Sequence, residues 1–260
     1  MTTRIDRTAV LSVSGGMDSC VLVYYYASAG FNLHLLSFDY GQKNVNELTY
    51  AEKYIAKARE HFCKGSNAIE IRHRVIELPL AQLLENSDSA LINASRSMPY
   101  GPATTESLKA ITVPYRNPNM LIQATTAAWD VEASIVAYAV HYNEYPLPDA
   151  QEAFVKAFNQ MLTVAMNTST IKVEAPFLSF TKAQIVRLGA SFNAPFELTW
   201  SCFEGGSNGL EEKHCGKCAT CLDRYNAFKL AGIADPTRYA NNPKSYPPLE
   251  RKQGTAGEGA

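Results

Sequence analysis

Apolar residues recur along the chain in two rhythms, and the changes of rhythm mark the elements. Residues 8–13 form a short apolar, β-rich run, which predicts a buried strand; a Ser-Gly-Gly turn follows, then a helical stretch over 17–29. Residues 32–38 (NLHLLSF) predict a second strand. Over 45–62, Leu48, Ala51, Ile55 and Ala58 return at helical spacing with polar residues between them. Residues 69–78 alternate and predict a third strand. Helical spacing resumes over 117–131, and 133–140 is a fourth apolar strand. Residues 150–166 predict an amphipathic helix, 171–173 a short fifth strand, and Thr181 caps a helix running to about residue 190.

Strand and helix alternate with short connections. That order predicts an α/β fold: a doubly wound, mainly parallel sheet with helices on both faces. The division expected is an α/β nucleotide-binding domain over 1–190, a cysteine-bearing segment over 191–239, and a tail over 240–260. Pro, Gly and charge in the tail predict disorder. Residues 86–112 lack periodicity and are rich in Ser, Asn and Pro, so they are expected to form a long surface loop, the kind that often serves as a lid. No internal repeat is present.

Composition narrows the classes. The 260 residues are 46% hydrophobic and 19% charged, enough apolar side chain for a sizeable core. Lys and Arg number 24 against 25 Asp and Glu, for a net charge of -1, which argues against nucleic acid as the main partner. No apolar run approaches the ~20 residues of a membrane helix, and the polar first residues give no signal peptide. A cytoplasmic protein with reduced thiols is expected. Oligomeric state is not fixed by the sequence, and a homodimer stays open.

Ser14-Gly-Gly-Met-Asp-Ser19 lies directly between a strand and a helix. Gly15 and Gly16 let backbone approach an anion, and the helix N-terminus beyond them offers free N–H groups and a positive dipole end. Ser14 and Ser19 add hydroxyls. Asp18 would repel phosphate unless it meets a cation, so a Mg²⁺ contact suits it. The blander alternative is a Gly-Gly turn with ordinary helix-start residues; the full string in this context favours phosphate. It is not a Walker loop, because no Lys follows the second glycine. The string resembles the SGGxDS loop of the ATP-pyrophosphatase superfamily, and the resemblance implies cleavage of ATP to AMP and pyrophosphate.

Of six cysteines, Cys202, Cys215, Cys218 and Cys221 are spaced C-x₁₂-C-x₂-C-x₂-C. That spacing in a reducing compartment argues for a closed tetrahedral Zn²⁺ site with a structural role. His214 adjoins the cluster and is expected to be a bystander. Cys20 and Cys63 stand apart, and Cys20 is expected to pack in the first helix.

The loop and the knuckle occur together with Phe38-Asp-Tyr-Gly-Gln42, Val113-Pro-Tyr-Arg-Asn117, LSFTKAQIV over 178–186, and ELTWSCFEGG over 197–206. This combination, covering roughly 8–239, resembles the 7-cyano-7-deazaguanine synthase family of the queuosine pathway. The resemblance implies that 7-carboxy-7-deazaguanine and ammonia become the nitrile, with one ATP activating the carboxylate and a second the intermediate amide. It implies that Ser14, Gly15, Gly16, Asp18 and Ser19 hold the leaving pyrophosphate with Mg²⁺. Asp39, Tyr40 and Gln42, at the end of the second strand, are implied to line the nucleotide or substrate pocket. Arg116 and Lys182 are implied to contact phosphate, and Asp18, Arg116 and Lys182 make up the expected catalytic set. Trp200 is either a ring stacked on the base or a core aromatic.

The chain also departs from the family pattern. Family members usually read Tyr-Pro-Asp-Cys-Arg where this chain has Tyr145-Pro-Leu-Pro-Asp-Ala-Gln151, and usually carry glycine where the fourth strand here ends Ala137-Tyr-Ala-Val-His141. Losing an Arg there removes a candidate clamp for the substrate carboxylate. A divergent member that stops at the amide, or joins the acid to another amine, including a protein's, is therefore the alternative. A tRNA thiolase would need catalytic thiols near the loop, and a zinc-knuckle interaction module would not need an intact SGGMDS.

Overall fold

The computed structural model describes residues 7–142, 147–167, 170–204 and 212–243. Tyr145, Pro146, Gly205, Gly206 and the expected disordered tail from 244 onward lie outside the described residues. Five parallel strands form one sheet in the order β3-β2-β1-β4-β5: β1 (Thr8–Ser12), β2 (Asn32–Asp39), β3 (Ile71–Glu77), β4 (Ile135–Tyr138) and β5 (Lys172–Glu174). The helices are α1 (Met17–Ser28), α2 (Asn46–Phe62), α3 (Leu80–Leu83), α4 (Thr105–Ile111), α5 (Arg116–Asp130), α6 (Glu152–Met166), α7 (Lys182–Ser191) and α8 (Ala219–Ala231).

Strand alternation sorts the core into two layers. Ala9 and Leu11 of β1 with Leu33 and Leu35 of β2 face one side, among α1, α2, α7 and α8 residues such as Leu22, Ile55, Ile185 and Phe228. Val10, Leu36 and Phe38 face the other side, among Leu121 and Ala124 of α5 and Phe158 of α6. The predicted α/β doubly wound class is therefore the observed one, and the element bounds differ by a residue or two. Thr181 does cap α7: its hydroxyl accepts from Gln184 N–H (3.3 Å), and Gln184 Oε1 accepts from Thr181 N–H (2.8 Å).

The sheet order reverses direction between β1 and β4. Strands two and three lie on one side of β1, strands four and five on the other. Such a switch point opens a crevice at the carboxyl ends of the strands, where doubly wound folds bind ligands.

Residues 86–112 are not the free surface loop that their composition predicts. Ser89, Ala90, Leu91, Met98 and Ala103 are buried, and residues 105–111 are helical. Irregular spacing hid these apolar anchors, because each one inserts separately rather than as a periodic stripe. Lys43 N–H donates to Leu91 C=O (2.8 Å) and Gly101 N–H to Lys217 C=O (2.8 Å). The segment thus spans from the end of β2 to the cysteine-bearing region.

Candidate active site

The glycine loop leaves β1 at the switch point and enters α1. Ser19 Oγ accepts from Ser14 N–H (3.1 Å), and Ser14 Oγ accepts from Gly16 N–H (3.2 Å), so the two hydroxyls fold the loop on itself. Ser14 C=O accepts from Tyr54 Oη (2.7 Å), and Gly15 C=O accepts from Trp200 N–H (2.7 Å). Gly15 has no room for a side chain: a Cβ there would sit 2.1 Å from the Glu47 carbonyl oxygen. No side chain caps the N-terminus of α1 at Gly16. Its first N–H groups and its dipole end are left to whatever anion enters.

Asp18, in the first turn of α1, sits beside two groups from distant segments. Its Oδ2 lies 3.7 Å from Lys182 Nζ at the start of α7 and 3.8 Å from His141 Nε2 just beyond β4. Its Oδ1 is buried and has no hydrogen-bond partner among the described residues. An unsatisfied buried carboxylate oxygen costs about 1–3 kcal/mol. An anionic oxygen left open beside an anion-binding loop is the donor that Mg²⁺ takes, so these residues fit the ion. Asp223 of α8 joins the same neighbourhood. Burial pushes its carboxyl up, while Lys182 and His141 draw it down and Asp18 adds to the rise. The sequence did not single out Asp223; its one signal was its place two residues after a knuckle cysteine.

Arg116 stands in a second group. At the N-terminus of α5, its guanidinium donates to Tyr40 Oη (3.4 Å) and lies 5.8 Å from the centre of that ring. Its charge also acts on Glu47 and on Asp149. Arg116 is thus flanked by Tyr40, Glu47 and Asp149, while Asp18 and Lys182 pair with each other. Gln42 is likewise committed. Its Oε1 accepts from Tyr40 N–H (2.8 Å), and its Nε2 donates to Phe38 C=O and to Glu47 Oε1 (both 3.0 Å). With 2% exposure it braces the turn after β2 instead of facing a pocket. Asp39 accepts from Gly41 N–H (3.1 Å), and Tyr40 is buried. Asn44, whose buried Oδ1 has no partner among the described residues, and Glu47, in the first turn of α2, were missed because they lie past the quoted string. Burial raises the Glu47 carboxyl to about 7, against the pull of Arg116 and Gln42.

The sulfur atoms of Cys202, Cys215, Cys218 and Cys221 all lie within 4.8 Å of one another, and all four residues are buried. The separations Cys215–Cys221 and Cys218–Cys221 are 3.9 and 3.4 Å. A tetrahedron of sulfurs about 2.3 Å from one ion has edges of about 3.8 Å, so the quartet fits zinc. Backbone N–H groups of Cys215, Lys217 and Cys218 point at sulfur, at 3.2, 3.3 and 3.3 Å, as a thiolate shell requires. Gly216 turns the knuckle at φ +73°, where a Cβ would strike the Asn241 carbonyl. His214 is a bystander here: burial lowers it to about 3, and its neutral Nε2 accepts from Ser201 N–H (2.9 Å). Trp200 is a core aromatic. It is 2% exposed, packed between Tyr50 and His214, and its Nε1–H donates to Cys202 C=O (2.8 Å). Cys20 is fully buried, and burial raises its thiol far above the usual range, so it is no nucleophile.

Comparison with known proteins agrees with this architecture. A family model described as queuosine biosynthesis protein QueC matches residues 8–232. A 7-cyano-7-deazaguanine synthase of Archaeoglobus fulgidus is 36% identical over 229 residues, covering 88% of this chain and 88% of that protein. The enzyme of the same name from Caldicellulosiruptor saccharolyticus is 34% identical over 232 residues, covering 89% of this chain and 95% of that one. From Mesorhizobium japonicum, 7-cyano-7-deazaguanine synthase 1 is 35% identical over 233 residues, covering 89% and 93%.

Proposed function

This chain belongs to the queuosine biosynthesis protein QueC family, and from that membership we propose that it converts 7-carboxy-7-deazaguanine and ammonia to 7-cyano-7-deazaguanine at the expense of ATP. The observation that carries the reading is the uncapped N-terminus of α1 at the switch point, with the Asp18–Lys182 pair beside it.

The chemistry follows from leaving groups. Neither a carboxylate oxygen nor an amide oxygen departs readily, whereas AMP does. The glycine loop and the N–H groups of α1 bind the β- and γ-phosphates, and Lys182 adds a point charge as pyrophosphate leaves. Mg²⁺, held through Asp18, supplies charge neutralisation on the phosphates when bound. Transfer of AMP to the carboxylate gives an acyl adenylate. Ammonia attacks that carbon and AMP departs, leaving the amide. A second ATP loads the amide oxygen, and loss of AMP with the amide protons gives the nitrile. Cys202, Cys215, Cys218 and Cys221 would hold a zinc ion, which would leave no position for substrate and would steady the segment that contacts Gly15. The reading includes a cytoplasmic setting.

The test is direct. Purified enzyme is incubated with 7-carboxy-7-deazaguanine, ammonium, ATP and Mg²⁺, and the base is followed by mass. Nitrile with two AMP and two pyrophosphate per base is expected, and Asp18→Ala abolishes both. ADP as product overturns the reading. An end point at the amide, or a requirement for another amine, promotes the divergent alternative that Ala150 and Gln151 raise.

A further inference from the structure

Asp149 lies in a short 3₁₀ turn, Pro148–Ala150, that is fixed from two sides. Ala150 N–H donates to Leu147 C=O (2.9 Å), and Tyr138 Oη donates to the carbonyl of Asp149 itself (3.1 Å). Tyr138 ends β4 and is level with Ser12 of β1 in the sheet register. Asp149 is therefore tethered to the strand beside the one that delivers the glycine loop, roughly 4.8 Å away.

Its surroundings are unusual for an acid. The residue is partly buried, and among the described residues no side chain donates to its carboxylate. Burial raises its pKa, while the Arg116 guanidinium pulls it back. Arg116 itself is engaged with Tyr40 Oη. Glu47, the other acid near Arg116, already accepts from Gln42. Its own backbone N–H is the one donor to the Asp149 carboxylate among the described residues, so this partly desolvated group, with a cation close by, keeps acceptor capacity on its two oxygens for a ligand.

We infer that Asp149 recognises the ligand's base, its two oxygens accepting the N1–H and the 2-amino group of a guanine-type ring. This rests on the proposed function for the identity of the base. Its donor edge and its carboxylate are at opposite ends of the fused ring, so with the edge at the end of β4 the carboxylate turns toward the glycine loop at the end of β1. A paired acceptor also rejects adenine-type rings, which present an acceptor at N1. It penalises a hypoxanthine-type ring, which lacks one donor.

The experiment measures binding, so that it does not depend on turnover. The intact protein is titrated calorimetrically with 7-carboxy-7-deazaguanine and with its 2-desamino analogue, and separately with ATP–Mg²⁺. The native protein is expected to prefer the 2-amino base by about 10- to 100-fold, the range of a charge-assisted bond. In Asp149→Asn that preference falls to within about threefold, while ATP affinity is unchanged. Asp149→Ala, with thermal unfolding as a check on the fold, repeats the loss. A preference that survives both substitutions, a change in ATP affinity in place of base affinity, or failure of the native protein to bind either base overturns the inference. A base that binds with the expected preference and is never converted to nitrile leaves the inference standing and overturns the proposed reaction.

Discussion

The glycine-loop end and the cysteine end of this molecule touch, yet they are held by different physics. The loop hangs on β1 and α1, whose Val10, Leu11, Cys20, Val21, Leu22 and Val23 are fully buried. Burial of that kind contributes roughly 25 cal/mol per Å² without any ligand. The cysteine end sends Phe196, Ala227 and Phe228 into that same core, but around the knuckle itself the buried cluster is small, Tyr50, Trp200 and the four cysteines, and polar bonds add to it. Arg224, 0% exposed, donates to Thr199 Oγ1 (2.7 Å), Phe196 C=O (2.8 Å) and Thr237 Oγ1 (2.5 Å), with Asp235 at 3.6 Å. At the loop itself the two ends are joined by Trp200 N–H donating to Gly15 C=O, beside the Trp200 ring packed on Tyr50. The glycine-loop end rests on apolar burial, and the cysteine end carries a quartet whose geometry suits a metal.

Removing the metal should break this comparison open most. Structural zinc in small sites carries an apparent ~10–16 kcal/mol of binding energy that is also folding energy. Cys218→Ser is expected to drop zinc from about one per chain toward zero by elemental analysis. Hydrogen exchange should then accelerate over residues 196–240 while amides of β1 and β2 stay protected. Equal loss at both ends would show that they are one cooperative unit.

Arg224→Met comes next. It strips the polar scaffold of the cysteine end, and its thioether can still cover the Phe228 ring over which the guanidinium lies. Breaking a buried charge network by removing one partner costs about 3–5 kcal/mol, to be read from the denaturant midpoint. A change under about 1 kcal/mol would mean that zinc alone holds the segment.

A pair of glycine substitutions sharpens the other end. Gly15→Ala drives a Cβ into the Glu47 carbonyl at 2.1 Å, so the loop backbone must move. Gly16→Ala meets the Ser14 hydroxyl at 3.2 Å, a side chain that can give way, and the Trp200 carbonyl at an ordinary 3.9 Å. A displacement of about 1 Å at a reacting site costs on the order of 100-fold. Pyrophosphate release should fall by about that factor in Gly15→Ala and by less than about tenfold in Gly16→Ala.

The same contrast explains what the sequence reveals. Periodic elements such as β1, α2 and α7 are legible because one rhythm commits many residues to a face. The glycine loop and the cysteine quartet are legible because their chemistry needs fixed types at fixed spacing. What stayed hidden depends on long-range placement. Asp223 and His141 reach Asp18 from α8 and from the end of β4, and no local pattern announces that meeting. Arg116 reads as a phosphate ligand by type, but Tyr40, Glu47 and Asp149 surround it in the fold. Residues 86–112 look like a lid because their anchors are not periodic.

The smallest expected effect is a pH dependence at the junction itself. The Glu47 carbonyl abuts Gly15, and burial lifts the Glu47 carboxyl from 4.5 to about 7. A raised acid holds its proton more tightly in the folded state, so its contribution is fully present below about pH 4.5 and fades as pH rises through about 7. His34 and His73 act in the opposite sense. Burial lowers both, so their neutral forms stabilise the fold above the ordinary histidine range and lose that effect as pH falls. The raw profile mixes the two, and the difference between native protein and Glu47→Gln isolates the acid. Urea midpoints taken from pH 4.5 to 7.5 should show the native protein losing stability relative to Glu47→Gln across the window, with the gap levelling above about pH 7. Parallel profiles would place the Glu47 carboxyl in contact with solvent, and the junction between the two ends would then be free of charge coupling.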